Sequence, residues 1–222
     1  MLSGPRILCL ALLALYLAFV AWYGGAGAPM TPQEKDALFA RIERNAAGAR
    51  EGDGHLLERL HTLADSDDGK EFYMLNLIRF REQALYPPGS PYTGSALDAD
   101  ARYNRAIAPL LLRHGNVPVF IGAPEGRFLD QAGDMEWQRI AIVRYRSRRD
   151  LLEMVADLAG KPVGVHKWAS IERTQVFPVR AAFSMIFVRG AAAVLLALLG
   201  AGLHLLLRRW LRYRGTATGA AR

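Results

Sequence analysis

The chain has 222 residues, 51% of them apolar, and a formal net charge of +7. The surplus is carried by Arg6, Arg189, Arg208, Arg209, Arg212, Arg214 and Arg222, while residues 30–180 balance to zero. Charge that flanks apolar runs instead of studding a domain argues against a nucleic-acid binder and for membrane helices whose basic ends stay in the cytoplasm.

Ile7 to Tyr23 holds no charged residue and is long enough for a tilted spanning helix, which needs about 17–25 residues. It also has the make-up of a secretory signal: Arg6 ahead, an apolar run, then Gly24-Gly25-Ala26-Gly27-Ala28. Pro29 disfavours a cut after Ala28, but a cut after Ala26 remains open. Residues 1–29 are therefore either an uncleaved anchor or a removable leader. Ala11, Ala14, Ala18 and Ala21 form a small-residue stripe of the kind that lets helices approach closely in lipid. Cys9, the sole cysteine, sits in this run without a lipobox, so lipid attachment and an internal disulfide are not expected.

Residues 30–69 read as a leading helical segment. Thr31-Pro32-Gln33-Glu34 is a helix start, with Thr as N-cap, Pro at N1 and Glu at N3. That helix runs through Arg44 until Gly48, Gly52 and Gly54 interrupt it, and His55 to Ala64 form a second. Asp65-Ser66-Asp67-Asp68-Gly69 fails the calcium-loop pattern, because Lys70 stands where Gly is needed and Asn76 where Glu is needed. With no Cys/His cluster either, no metal site is expected.

Residues 70–180 read as one α+β domain. Phe72 to Arg81 is a strand whose Phe72, Met74, Asn76, Ile78 and Phe80 share a face. Residues 86–95 are a turn-rich loop, Asp98 to His114 a helix, and Val117 to Ile121 a strand. Trp137 to Arg146 is a strand, Ser147 caps a helix from Arg148 to Leu158, and Val163 to Val179 holds the last strand or two. The succession β-α-β-β-α-β predicts a ferredoxin-like antiparallel sheet. Its helices cover one face, and the other face is expected to be buried by a second copy.

Gly190 to Leu207 is a second apolar run, broken only by His204 and closed by Arg208, Arg209, Trp210, Arg212 and Arg214. Ala193, Ala197 and Ala201 stripe it. Arg6 and the arginine cluster place both termini in the cytoplasm, so the central domain is expected outside it: periplasmic, or exterior to the cell. Residues 215–222 are a tail. The lipid bilayer is thus an expected partner, and the Ala stripes leave room for a membrane-protein partner.

The segments YMLNLIRFR, DADARYNRAIAPLLLRHGNVPVFIG and EWQRIAIVRYRSRRDLLEMV resemble the dimeric alpha-beta barrel superfamily over residues 70–180, in particular a branch known only as a domain of unknown function. The resemblance implies a ferredoxin-like fold and a sheet-to-sheet homodimer. The superfamily's activities span cofactor-free monooxygenases, haem-dependent enzymes and proteins without a known reaction.

Four residues are candidate ligand contacts. Asn76 is an amide among large apolar side chains and must find hydrogen bonds, from a ligand or from the backbone. Arg139 and Tyr145 alternate with Trp137, Ala141 and Val143. On an open sheet face they would suit an anionic ligand in a barrel interior. His166, alternating with Trp168 and Ser170 on the last strand, is placed to be an acid/base or a haem ligand. His114 sits where a helix C-terminus favours a cationic imidazole, and Tyr103 reads as core. No catalytic residue is assigned. The expected function is a membrane-anchored extracytoplasmic binding or scaffold module, the alternative a monooxygenase-like enzyme using the barrel pocket.

Overall fold

The computed structural model describes residues 4–46, 55–126, 128–129, 136–183 and 187–219, with backbone alone for 211–219. The elements in order are α1 (Gly4–Tyr23), α2 (Pro32–Ala46), α3 (Leu56–Asp65), β1 (Phe72–Phe80), α4 (Ala96–Arg113), β2 (Val117–Gly122), β3 (Arg139–Tyr145), α5 (Arg148–Leu158), α6 (Val163–Ser170), β4 (Ile171–Val179) and α7 (Val188–Gly219). They form two units, Tyr23–Ala181 and Met1–Trp22 with Ala182–Arg222. The interruption at Gly48, Gly52 and Gly54 lies outside the described residues.

In the unit Tyr23–Ala181, the cap signals of the sequence are realised. The Glu34 carboxylate accepts from the Thr31 N–H at 2.7 Å, and the Thr31 hydroxyl accepts from the Glu34 N–H at 3.3 Å. Ser95 and Asp98 form the same reciprocal box at the start of α4, and Ser147 caps α5. The four strands form one antiparallel sheet in the order β2-β3-β1-β4. Phe72, Met74, Val143 and Tyr145 meet the buried faces of α2, α3, α4 and α5, and that layer is the core. The stretch Val163–Ser170, expected as strand, is instead the helix α6. Pro162 starts it, α6 packs on α4, and only from Ile171 does the chain join the sheet.

Among the described residues of this unit, no helix packs on the opposite sheet face. It presents Leu75 and Leu77 from β1, Ile140 and Ile142 from β3, Phe120 from β2, and Phe177 and Val179 from β4. Phe120, Phe177 and Val179 are exposed. At one end of this face the chain from Tyr23 to Ala28 lies against the sheet. Ala26 bridges to Lys70, the Gly27 N–H donates to the Gly69 carbonyl at 2.9 Å, and the Glu71 N–H donates to the Gly25 carbonyl at 3.3 Å. The acidic loop beside it has a structural use. Asp67 accepts from the N–H of Met30 and of Gly69, while Asp68 accepts from Arg148 and pairs with Arg180.

In the other unit, Gly4–Tyr23 and Val188–Trp210 are long and apolar enough to cross a membrane. The helix bearing the second run continues through Gly219, so Arg208, Arg209, Arg212 and Arg214 are all helical and the arginine cluster does not end it. Arg6 lies near the start of α1.

Candidate functional site

The alternation of β1 and β3 groups Asn76, Arg139 and Tyr145 on one face as expected, but that face is the helix-covered one, not the open one. Each residue there already has an internal partner. The Asn76 amide donates to the carbonyls of Met74 at 3.1 Å and of its cross-strand neighbour Ala141 at 3.2 Å. Arg139 pairs with the buried Asp100, which also accepts from Asn104, and lies over the Phe80 ring at 4.6 Å. Tyr145 stacks on Phe72 with ring centroids 5.4 Å apart. Burial, with a smaller contribution from nearby Tyr103, raises its phenol far above the usual range, so it stays neutral. Trp137 precedes β3 and is not part of the ladder. The amide, the guanidinium and the phenol are thus each engaged within the fold.

His166 lies on α6, not on a strand, and anchors a second cluster where α6, α4 and the 81–95 loop meet. The loop is laid along α6 by the N–H groups of Arg81 and Leu85, which donate to the carbonyls of Ser170 and Ala169 at 2.9 Å each. This brings the Tyr86 hydroxyl to 2.9 Å from His166 Nδ1. Arg102 on α4 donates to the same hydroxyl at 3.3 Å and to the Thr93 carbonyl at 3.0 Å. With Arg102 donating to its oxygen, the Tyr86 hydroxyl is free to donate its proton to Nδ1 of a neutral imidazole. Burial, and secondarily the Arg102 charge, lowers the His166 pKa and favours that neutral form. Tyr92 meets the imidazole edge-on at 4.6 Å. Tyrosines at 86 and 92 and the arginine at 102 were visible in the sequence, but their convergence on His166 depends on α6 being a helix.

A third cluster was not foreseen. His114 closes α4 and faces α5, with Nε2 at 3.1 Å from Asp157 and Nδ1 at 3.6 Å from Glu153. Asp157 also pairs with Arg41, and Arg113 is 4.0 Å away. Burial works against the Asp157 charge, but the His114 hydrogen bond and the Arg41, His114 and Arg113 charges outweigh it and hold the carboxyl below its usual pKa. Donor atoms of His114, Asp150 and Glu153 all lie within 4.8 Å of one another, a grouping that could hold a cation. Asp150, however, is bound by Arg146 and by the Ser147 hydroxyl at the start of α5. The arginines and the cap account for these carboxylates as an ion-pair network that ties α2, α4 and α5 together.

Between α1 and α7 lies an apolar cleft of about 530 Å³ in which Ala193, Ala197 and Ala201 face Cys9, Leu12 and Tyr16, with His204 at the same wall. The small-residue stripe of α7 therefore lines this cleft, and Gly200 beside it approaches Leu12 closely. Ala11, Ala14, Ala18 and Ala21 on α1 do not line this cleft and are exposed.

No protein-family model and no curated protein matches the chain. Among solved structures, a protein of unknown function from Rhodopseudomonas palustris, determined as a structural genomics target, matches at a TM-score of 0.51 and 22% identity over 60% of this chain and 97% of that one. The methylated form of the same protein matches at 0.52 and 23% identity, over 61% and 96% of the two chains. At this identity the likeness speaks for the fold alone.

Proposed function

We propose that this protein is a membrane-anchored binding or scaffold module whose central domain lies outside the cytoplasm and pairs with a second copy through its open sheet face. The observation that carries this reading is the uncovered face itself. Seven apolar side chains on four adjacent strands meet no helix among the described residues of this unit, while on the opposite face Phe72, Met74, Val143 and Tyr145 pack into the helical core. Exposed contiguous apolar surface on this scale marks an interaction site. A second copy is the occupant that fits. The patch is apolar across the central strands, and its charged residues lie at the rim, where Arg79 pairs with Glu172 at 3.0 Å and Arg173 stands opposite Arg79. The strand order β2-β3-β1-β4 with its two helical crossovers supports a ferredoxin-like arrangement, with α6 as an added turn, and the resemblance to the dimeric alpha-beta barrel superfamily supports the same pairing.

The test is the mass of the full chain in nanodiscs. The expected result is two copies per particle for the wild type and one for Phe177→Glu, with unchanged circular dichroism. A wild type that stays single at micromolar concentration overturns the pairing. The enzyme alternative has a narrower base. Of Asn76, Arg139, Tyr145 and His166, only His166 carries an imidazole, and its Nδ1 is engaged by the Tyr86 hydroxyl. Haem titration of the purified chain tests that reading: a Soret band lost in His166→Ala supports it, and no band removes its haem form.

A further inference from the structure

We infer that the N-terminal apolar helix is an uncleaved anchor, and that Tyr23–Gly27 is a strap without which the sheet domain does not complete its own fold. The decisive residue is Arg144, whose side chain is 0% exposed. It lies on β3 opposite Tyr73, at the strap end of the sheet face away from the helical core. A guanidinium offers five N–H donors, and a buried one needs acceptors for them. Glu71 accepts from Nε at 3.1 Å and from Nη2 at 2.6 Å, and the Gly115 carbonyl accepts from Nη1 at 3.0 Å. The remaining acceptors come from the strap. The Tyr23 carbonyl accepts from Nη1 at 2.7 Å and the Gly24 carbonyl from Nη2 at 3.4 Å, while the Tyr23 ring covers the guanidinium at 3.6 Å. A cut after Ala26 or after Ala28 removes both carbonyls and the ring, and leaves a charge built for burial without its lid.

The small residues that resemble a cleavage site have another cause in this fold. Gly24 and Gly25 adopt φ of +55° and +94°, a region that side chains disfavour. A Cβ on Gly24 would strike the aliphatic part of Arg146. Gly69, at φ +71°, lies so close to the backbone of Gly27 and Ala28 that a Cβ there has no room. Backbone conformation and close approach thus account for Gly24, Gly25 and the Gly27–Gly69 contact without a peptidase.

The inference is separate from what the sheet face binds, since pairing can hold or fail with the helix retained. Its first test is the intact mass of the full chain, carrying a C-terminal tag and purified from the membranes of a secretion-competent bacterial host. The expected mass includes residues 1–28, and a species lacking 1–26 or 1–28 overturns the inference. The second is a double-mutant cycle on the full chain. Tyr23→Ala is expected to lower Tm by ~5–10 °C in the wild type, and by much less in an Arg144→Leu background. An unchanged Tm on Tyr23→Ala means that the strap contributes nothing to the fold, and the inference falls with it.

Discussion

At the scale of single residues, the side chains that stood out in the sequence are polar groups in apolar surroundings, and the structure satisfies most of them internally. Asn76 illustrates the limit of the sequence. Its alternation on β1 showed that the amide must find partners, but not that the backbone of Met74 and Ala141 supplies them. Arg139 is similar, because Asp100 is far away in sequence and becomes its partner only when α4 crosses the sheet. Arg139→Met leaves the buried Asp100 carboxylate with Asn104 alone and is expected to cost about 1–3 kcal/mol, read as a lower midpoint in urea. His166 gives a pH prediction. Its pKa is lowered from 6.5 in the fold, so the unfolded chain takes up its proton first as pH falls. The stability from its neutral form is complete above about pH 6.5 and declines as pH drops below that value toward the folded pKa. Between pH 7 and 5.5 the wild-type Tm should therefore fall more steeply than that of His166→Gln; parallel curves would mean that the imidazole is not held neutral by Tyr86 and Arg102.

At the scale of elements, local chemistry was legible wherever it alone decides the outcome. The Thr31–Glu34 box and Ser147 mark helix starts because a side-chain oxygen must meet free backbone N–H groups, whatever packs around them. The misreading of Val163–Ser170 has an equally physical cause. Val163 and Val165 alternate as in a strand, and an eight-residue segment has too few turns for helical periodicity to stand out. Packing against α4 and the 81–95 loop decided it instead. The two glycines flanking this turn should respond in opposite directions. Gly160 has φ of +75° and its Cβ would collide with the Asn45 carbonyl, so Gly160→Ala is expected to destabilise by roughly 1–3 kcal/mol. Gly164 lies within α6 with nothing near its Cβ position, so Gly164→Ala is expected to stabilise by about 0.5–1 kcal/mol. Thermal unfolding of the two variants checks both signs at once.

At the scale of the whole molecule, strand alternation told which residues share a face but not which face receives the helices. The connections decide that. β1 and β2 run parallel through α4, β3 and β4 run parallel through α5 and α6, and the helical layer built on α4 and α5 settles on the Phe72–Tyr145 side. The face with Leu75, Ile142 and Phe177 is the one proposed for association, and of the residues suggested for a barrel pocket Asn76, Arg139 and Tyr145 lie on the other, helix-covered face. Charge is the other global feature, and it was fully legible because it needs no fold. Arg6 lies at the start of one apolar helix and Arg208 and Arg209 end the apolar part of the other, and the topology we propose from the positive-inside rule has both flanks in the cytoplasm and the intervening domain across the membrane. Cysteine labelling tests this directly, because Cys9 is the sole native thiol and can be replaced by Ser. In that background Glu82→Cys, at an exposed position in the domain, is expected to react with a membrane-impermeant maleimide on intact spheroplasts. Thr218→Cys, beyond the arginine cluster, is expected to react only after permeabilisation. Equal labelling of the two without permeabilisation would place the domain and the C-terminal flank on the same side, and the arginines would then have to be explained by contacts with a partner or with lipid headgroups.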